Sequence, residues 1–245
     1  MEISTEYVEL KVSDGTSMRA YVARPAKPGK SVGLIVGQEA FGVNAHIRDV
    51  TARFAREGYI AIAPELFHRT VSGFEGRYDD FQVVIPHMRA MTDAGNEADL
   101  RAAYEWLTSN HGARLPLAAV GFCMGGRAAF LAALTLPLKC AASFYGGGIA
   151  PGVNGPGLIG RVKELRAPML FFWGGLDKHI TAEHSRAVVE GMRAAGKPFV
   201  NVEFSDADHG FFCDARAAYS PVAAAQAWPL TLAFLGAHTA ASAAA

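Results

Sequence analysis

The chain has 245 residues, 51% of them hydrophobic, and its 23 Lys and Arg balance its 23 Asp and Glu to a formal net charge of zero. This composition is typical of a globular protein, and the balanced charge argues against nucleic acid or an anionic membrane as a partner. The first residues lack the pattern of a signal peptide, and no apolar run reaches the roughly 18 residues of a membrane span. Three cysteines are too few for a disulfide framework, which predicts a reducing, cytoplasmic location.

Strands and helices alternate along the predicted chain. Alternating segments at 7–12 and 18–22 around Asp14-Gly15 predict an antiparallel hairpin. The other strands are expected at 32–36, 59–63, 117–122, 140–145, 168–173 and 199–204. Helices are expected from a cap at Asn44 to about 56, from Asn96 (with Asp99 three residues on) to about 110, from 124 to near 137, from 181 to 195, and from Ser220-Pro221 to about 235.

Three segments lack the apolar periodicity of a helix or a strand. Residues 66–95 carry mixed charge and scattered aromatic side chains, which suggests an excursion from the core with a short helix. Residues 149–160 are rich in glycine and proline and are predicted to be a loop, while the alanine-rich residues 239–245 are predicted to be a frayed tail. No repeat or linker divides the chain. We therefore predict a single α/β domain over residues 1–245, with a mostly parallel, doubly wound sheet and helices on both faces.

The segment Gly121-Phe122-Cys123-Met124-Gly125 has the layout of a nucleophile elbow, with cysteine where serine is usual. In such an elbow a strained turn between a strand and a helix exposes the central residue, and side chains at the flanking glycines would crowd the neighbouring elements. The alternative is a buried structural cysteine beside an ordinary turn.

Chemically active side chains follow several predicted strands. The carboxyl ends of parallel strands meet at one edge of a sheet, which predicts that Glu39, Cys123, Asp177 and His209 lie together. The chain order nucleophile, acid, histidine is the order found in α/β-hydrolases.

The chain resembles the dienelactone hydrolase (carboxymethylenebutenolidase) family of α/β-hydrolases in segments that run in the family's order along most of its length. The matching segments are Gln38-Glu39-Ala40-Phe41-Gly42, Gly121-Phe122-Cys123-Met124-Gly125-Gly126, Phe144-Tyr145-Gly146, Trp173-Gly174-Gly175-Leu176-Asp177 and His209-Gly210-Phe211. The cysteine elbow together with the Gln-Glu-x-Phe-Gly loop is the distinguishing combination. The resemblance implies an α/β-hydrolase fold and a carboxylic ester hydrolase that cleaves small esters or lactones, most specifically a dienelactone in the degradation of aromatic compounds.

The expected triad has chemically distinct roles. Cys123 would attack a carbonyl carbon and form a thioester, and His209 would act as base toward the thiol and later toward water. Asp177 would orient the imidazole of His209. Asp206 and Asp208 compete for this last role, but they lie too close to His209 along the chain.

The loop after the first buried strand is expected to contribute two further groups. The resemblance implies that Glu39 contacts the resting thiol and shifts when substrate binds; the alternative is a loop carboxylate paired with an arginine. The backbone N–H groups of Met124 and Ala40 are expected to form the oxyanion hole.

A dienelactone carries a carboxylate, so its site should contain a cation with the geometry of a fork. Family members commonly place an arginine four residues after the catalytic histidine, but this chain has Cys213 there. Arg216 and Arg77 are the candidate replacements, with Tyr145 and Phe41 as further substrate-binding residues.

No Cys/His cluster has zinc-ligand spacing, and neither a phosphate loop nor a dinucleotide fingerprint is present, so we predict no metal and no organic cofactor. The predicted partner is a small-molecule ester or lactone, and both a monomer and a small homo-oligomer stay open. The alternatives are a broader carboxylesterase or thioesterase with the same triad, a non-catalytic binding protein on this fold, and a thiol redox sensor in which Cys213 resolves Cys123.

Overall fold

Eight strands and six helices make up most of the computed structural model, which describes residues 1–27, 32–152 and 157–240. The strands are β1 (Ile3–Lys11), β2 (Ser17–Pro25), β3 (Gly33–Gly37), β4 (Ile60–Pro64), β5 (Leu117–Phe122), β6 (Cys140–Phe144), β7 (Met169–Gly174) and β8 (Phe199–Phe204). The helices are α1 (Ala45–Arg56), α2 (Ile85–Ala90), α3 (Asp93–His111), α4 (Met124–Thr135), α5 (Ala182–Ala194) and α6 (Pro221–Thr239), and a 3-10 helix spans Leu158–Glu164.

All eight strands belong to one sheet, in the order β1-β2-β4-β3-β5-β6-β7-β8. The hairpin of β1 and β2 is antiparallel, and β2 joins β4 in antiparallel pairing. From β4 to β8 every neighbouring pair is parallel. The predicted mostly parallel sheet with an N-terminal hairpin is therefore confirmed.

Helices cover both faces of this sheet. On one face α1 meets α6, where the Phe54 and Trp228 rings lie 4.6 Å apart. On the other face α3 packs against α4, and α4 and α5 both contact the 3-10 helix. The central strands β3, β5, β6 and β7 are buried at every position, as expected of strands covered on both sides.

The course of the chain defines where a ligand should bind. From β3 the chain passes through α1 to β4 on one side, whereas from β5 it passes through α4 to β6 on the other side. Adjacent strands whose connections diverge in this way leave a crevice at their carboxyl ends. That crevice lies between the ends of β3 and β5.

The predicted start of the third helix is wrong. α3 begins at Asp93 because the Thr92 hydroxyl accepts a hydrogen bond from the Gly95 N–H at 3.0 Å and so caps the helix three residues earlier than expected. Asn96 and Asp99 lie inside the helix and are buried. The predicted cap at Asn44 is confirmed, since its side chain accepts a hydrogen bond from the Ile47 N–H at 3.2 Å.

Two other predicted boundaries need correction. α6 continues to Thr239 rather than ending near 235, because Thr239 is buried and its hydroxyl donates to the Leu235 carbonyl at 2.7 Å. Thr239 is therefore helical and not part of a frayed tail, while residues 241–245 lie outside the described residues. The predicted loop 149–160 ends in the first turn of the 3-10 helix, where Ile159 N–H donates to the Ile149 carbonyl at 2.8 Å, and its residues 153–156 are also outside the described residues.

The excursion between β4 and α3 contains the expected short helix, α2, and contributes a small apolar cluster. Phe67 and Val84 pack there with Ala40 and Phe41 from the loop after β3, beside the partly buried Cys123. The excursion therefore borders the crevice at the end of β3. Among the described residues, no helix is both long and apolar enough to span a membrane.

Candidate active site

Five neighbouring strands end at the same edge of the sheet, and each is followed by a residue of the candidate site. These residues are Glu39 after β3, Cys123 after β5, Tyr145 after β6, Asp177 after β7 and His209 after β8. The parallel register from Gly37–Gly121 through to Gly174–Phe204 aligns these strand ends.

Cys123 lies on a strained turn between β5 and α4. Its φ of +56° is a left-handed conformation that L-residues rarely adopt, and its N–H donates to the Phe144 carbonyl at 3.0 Å. A Cβ at Gly121 would overlap the Gly125 carbonyl, and a Cβ at Gly125 would overlap the Gly37 carbonyl. The tight turn of a nucleophile elbow is therefore possible only with glycine at both flanks.

Asp177 and His209 form a short, well-oriented pair. Asp177 Oδ2 lies 2.7 Å from His209 Nδ1, while its Oδ1 accepts hydrogen bonds from the N–H groups of His179 at 2.7 Å and Ile180 at 2.9 Å. These bonds hold the carboxylate in place, and the interaction of His209 with the Cys123 side chain contributes to the raised pKa of the imidazole. His209 therefore interacts with both the acid and the thiol.

The pairing of Asp177 with His209 also shifts the pKa of both side chains. Burial alone lowers the pKa of His209, but its hydrogen bonds to Asp177 and Cys123 outweigh burial and raise this pKa to about 10. Burial alone raises the pKa of Asp177, but the hydrogen bonds from His209 and the backbone N–H groups hold it below its usual value. Protonated His209 is thus stabilised well above neutral pH.

Glu39 is fully buried and paired with Arg216. Oε1 of Glu39 lies 3.4 Å from Arg216 Nη1, and the guanidinium carbon lies 5.6 Å from the centre of the Phe41 ring. Gly210 has a φ of +86° and leaves the space that this guanidinium occupies. The contact is the arginine pairing that the sequence left open as an alternative for Glu39.

The expected oxyanion-hole residues lie next to each other. Gly125, one residue after Met124, approaches the Gly37 and Gln38 carbonyls so closely that a Cβ on it would meet both. This approach brings the start of α4 against the loop that carries Ala40, which packs with Cys123 and Met124.

Tyr145 and Phe41 lie beside the other candidate residues, whereas Arg77 lies on the exposed surface. Tyr145 has a φ of +39°, is buried, and meets the His209 ring edge-on at 5.1 Å; burial raises the pKa of its hydroxyl well above the usual value. Phe41 is buried and meets Tyr78 edge-on at 4.6 Å. The Arg77 side chain is 79% exposed and pairs with Asp79 at 2.7 Å, so its position gives no support to a substrate-binding role. A mixed-charge surface segment offered no signal that could separate its arginine from a buried one.

Sequence reasoning named Cys213 as a resolving thiol in one alternative, but it missed the buried polar contacts of this residue beside the site. The Cys213 thiol donates to the Tyr78 hydroxyl at 3.3 Å, and Asn44 Nδ2 donates to the same hydroxyl at 2.9 Å. Burial raises the pKa of Cys213 to about 11. His46, on α1, is also buried, and burial lowers its pKa despite the nearby Glu39 carboxylate. These residues come from distant segments of the chain, so no local sequence motif predicts that they lie close together.

A small cavity adjoins the histidine of the pair. It has a volume of about 100 Å³ and is lined mainly by Gly146, Trp173, His179, Ile180 and His184. The His179 ring lies 5.6 Å from the His209 ring, which connects this cavity to the catalytic groups. Its size suits a small group, since sites for drug-sized ligands span roughly 300–1,000 Å³.

The sheet order, with Cys123, Asp177 and His209 following β5, β7 and β8, defines an α/β-hydrolase fold. The sequence model of the dienelactone hydrolase family matches residues 18–239. This chain belongs to the dienelactone hydrolase family, whose members are carboxylic ester hydrolases, and we assign it to that enzyme class.

Individual relatives support the assignment over nearly the whole chain. A "Putative carboxymethylenebutenolidase" of Synechocystis sp. is 35% identical over 237 residues, covering 93% of this chain and 94% of the relative. A protein of the same name from Salmonella typhimurium is 37% identical over 221 residues, covering 88% and 81%. The crystal structure of a "Putative Dienelactone Hydrolase" from Klebsiella pneumoniae superposes with a TM-score of 0.88 at 34% identity, covering 96% of this chain and 99% of that one.

Proposed function

We propose that this chain hydrolyses the lactone of a dienelactone, or a closely related small ester, with Cys123 as nucleophile. The observation that carries the proposal is the hydrogen-bonded pair of Asp177 and His209, which interacts with Cys123 on a nucleophile elbow. The names of its relatives favour the dienelactone over other esters.

The reaction uses these groups in two stages. His209, whose raised pKa favours the protonated ring, already holds the thiol proton when Cys123 Sγ attacks the carbonyl carbon, and the developing oxyanion accepts hydrogen bonds from the N–H groups of Met124 and Ala40. When the ring C–O bond breaks, His209 returns its proton to the leaving oxygen, which stays attached to the acyl chain because the substrate is a lactone. Water activated by His209 then attacks the thioester, releasing the carboxylic acid and restoring the thiol.

Arg216 is the proposed partner of the substrate carboxylate. Its guanidinium already pairs with the buried carboxylate of Glu39 and lies over Phe41 at the border of the crevice. A substrate carboxylate would compete with Glu39 for the same donor, since a guanidinium fork matches either anion. Substrate binding would thereby release Glu39 from Arg216. This release would explain the movement of Glu39 on substrate binding that the family resemblance implies.

The decisive experiment compares cis- and trans-dienelactone with p-nitrophenyl acetate for the wild type and Cys123→Ala. We expect dienelactone turnover well above turnover of the simple ester, with both reduced by about 10⁴-fold or more in Cys123→Ala. Cys140→Ala is the matched control, because this thiol is buried in β6 and does not belong to the group of Cys123, His209 and Asp177.

Two results would contradict parts of the proposal. Cys123-dependent hydrolysis of the simple ester without dienelactone turnover would retain the triad and reject the substrate. Absence of Cys123-dependent turnover for either compound would reject the hydrolase mechanism in favour of a binding protein or a thiol sensor.

We also propose that the enzyme acts in the cytoplasm as a single domain. Its three cysteines are unpaired, as expected under reducing conditions. Cell fractionation tests the location, and recovery of the protein with the periplasmic or membrane fraction would contradict it.

A further inference from the structure

Glu39, His46 and Cys213 form a buried cluster that the proposed reaction does not use as a unit. They come from the loop after β3, from α1 and from the segment after β8. One potential ligand atom from each lies within 4.8 Å of the others. All three residues are buried, with exposures of 0%, 7% and 0%.

Two atoms of this cluster lack a hydrogen-bond partner among the described residues. They are Oε2 of Glu39 and Nε2 of His46, both of which are buried. A buried polar atom left unsatisfied costs about 1–3 kcal/mol, so two neighbouring ones indicate a missing binding partner. A cation between them would satisfy both, because each offers a lone pair when the carboxylate is ionised and the imidazole is neutral.

We propose that Glu39, His46 and Cys213 bind a thiophilic divalent cation, with Zn²⁺ as the best chemical fit. Carboxylate, imidazole and thiolate are the side chains that ligate Zn²⁺, and three such ligands leave a fourth tetrahedral position for water. Mg²⁺ and Ca²⁺ are poor candidates because they prefer sites made of oxygen ligands. Tetrahedral Zn²⁺ separates its ligand atoms by about 3.5 Å, so the side chains would close by up to about 1 Å on binding.

The surroundings of His46 resemble those of a metal ligand. Asp214 Oδ1 lies 3.7 Å from His46 Nδ1, on the edge of the ring opposite the unsatisfied Nε2. A carboxylate at one nitrogen commonly orients a histidine whose other nitrogen binds a metal. Phe122 and Phe212 meet the imidazole edge-on, with ring centres 6.3 and 6.5 Å away, and limit its rotation.

The charges around the cluster accommodate a divalent ion. The Glu39 carboxylate and the Cys213 thiolate together neutralise it, and Arg216 pairs with Oε1 of Glu39, which leaves Oε2 without a partner among the described residues. Cys213 now donates its thiol proton to the Tyr78 hydroxyl and would release it to solvent on binding. Asp214, which contacts His46, also lines a surface cavity of about 190 Å³.

The site shares Glu39 with the active site. Glu39 pairs with Arg216 and precedes Ala40, so a bound ion would fix the loop that we assign to the oxyanion hole. Metal occupancy would thereby be linked to catalysis, although the site itself does not depend on the proposed reaction.

The test uses Co²⁺ with the Cys123→Ala protein, which lacks the catalytic thiol as a competing ligand. Co²⁺ bound by a thiolate shows sulfur-to-cobalt charge-transfer absorption, and Zn²⁺ added afterwards should displace it. We expect this absorption in Cys123→Ala, its loss in Cys123→Ala/Cys213→Ser, and its retention in Cys123→Ala/Cys140→Ala.

A second readout guards against a folding defect in the Cys213 variant. His46→Gln in the Cys123→Ala background keeps every other thiol and should weaken Co²⁺ binding by about 10-fold or more. Thermal unfolding without metal checks that each variant is folded, and Zn²⁺ should raise the melting temperature of Cys123→Ala more than that of either double variant. The proposal is overturned if Cys123→Ala shows no charge-transfer absorption, if the absorption survives Cys213→Ser, or if His46→Gln binds Co²⁺ unchanged.

Discussion

His209 interacts with both a carboxylate and a thiol. The short contact of its Nδ1 with Asp177 fixes the ring orientation, and the interaction with Cys123 also favours the protonated ring. In this arrangement the imidazolium formed after proton transfer stays next to both an anion and the site of attack. A single residue thus couples the stability of the site to its chemistry.

The raised pKa of His209 predicts how stability depends on pH. Because its pKa is about 10 in the folded protein and 6.5 as the ordinary value, the interaction stabilises fully below about pH 6.5 and is lost as pH rises toward 10. The lowered pKa of Asp177 means that its contribution is lost only as pH falls through the acidic range. We therefore expect the wild type to have a higher free energy of unfolding than Asp177→Asn. This difference should be largest between about pH 4 and 6.5 and should shrink as the pH rises toward 10.

Urea denaturation of both proteins across this range measures the difference. A difference that stays constant from about pH 6.5 to 10 would show that His209 is not held protonated by Asp177.

Arg216 should distinguish an anionic substrate from a neutral one. Arg216→Lys keeps the positive charge beside buried Glu39 but removes the fork geometry, so we expect kcat/KM for dienelactone to fall by about 10-fold to 100-fold. The same variant should change kcat/KM for p-nitrophenyl acetate by less than about 3-fold, since that ester has no carboxylate to bind. Steady-state kinetics with both substrates tests this difference.

Arg77→Lys is the matched control for Arg216, because its guanidinium is exposed and paired with Asp79. Equal losses for the two substrates in Arg216→Lys would mean that Arg216 supports the structure and does not recognise the substrate carboxylate.

At the scale of elements, the junction of β5 with α4 depends on close backbone approach. Gly37, Gly121 and Gly125 lie so near to each other that side chains there would meet backbone atoms rather than flexible groups. The elbow therefore cannot relax around an added methyl group without moving a central strand or the start of a helix.

Gly121→Ala should lower the free energy of unfolding by about 2–4 kcal/mol through this overlap. Gly236→Ala is the control: it lies in α6, where an added methyl group would have no neighbouring atom within 4 Å, so stability should stay unchanged or rise by up to about 1 kcal/mol. Chemical denaturation of both variants measures the effect, and similar stabilities for the two would contradict a sterically closed elbow.

At the scale of the whole molecule, a buried ion-pair network joins the excursion after β4 to the rest of the fold. Asp99 in α3 accepts two hydrogen bonds from Arg69, each 2.8 Å long, and lies 3.0 Å from His68 Nε2. Arg69 also donates to Asp14 at 2.8 Å, which links the excursion to the turn of the N-terminal hairpin. The Asp99 carboxylate thus helps to hold together segments that are far apart in sequence.

Asp99→Asn should reduce the free energy of unfolding by about 3–5 kcal/mol, because it removes the buried carboxylate that pairs with Arg69 and leaves this arginine only its more exposed pair with Asp14. Asp79→Asn should change it by no more than about 0.5 kcal/mol, since the Asp79 pair with Arg77 is exposed. Equilibrium denaturation tests the pair, and a small effect of Asp99→Asn would show that the excursion is held mainly by its apolar contacts.

Much of the architecture could be predicted from local pattern. The apolar runs, the glycine-flanked cysteine and the order of Cys123, Asp177 and His209 predicted the sheet, the elbow and a common edge for these residues. These features follow from backbone geometry and burial over short stretches, which a sequence displays directly. Helix boundaries were less accurate because a cap depends on a single side chain, as at Thr92.

Contacts between distant loops could not be predicted in the same way. Pattern alone left Arg77 and Arg216 as equal candidates and gave no sign that Glu39, His46 and Cys213 would meet. Those outcomes depend on how loops from different strand ends and helices come together over the edge of the sheet. Local residue preferences determined the elements and their chemical order, whereas the burial and pairing of charges arose only from three-dimensional packing, because desolvation and Coulomb energies depend on neighbours remote in sequence.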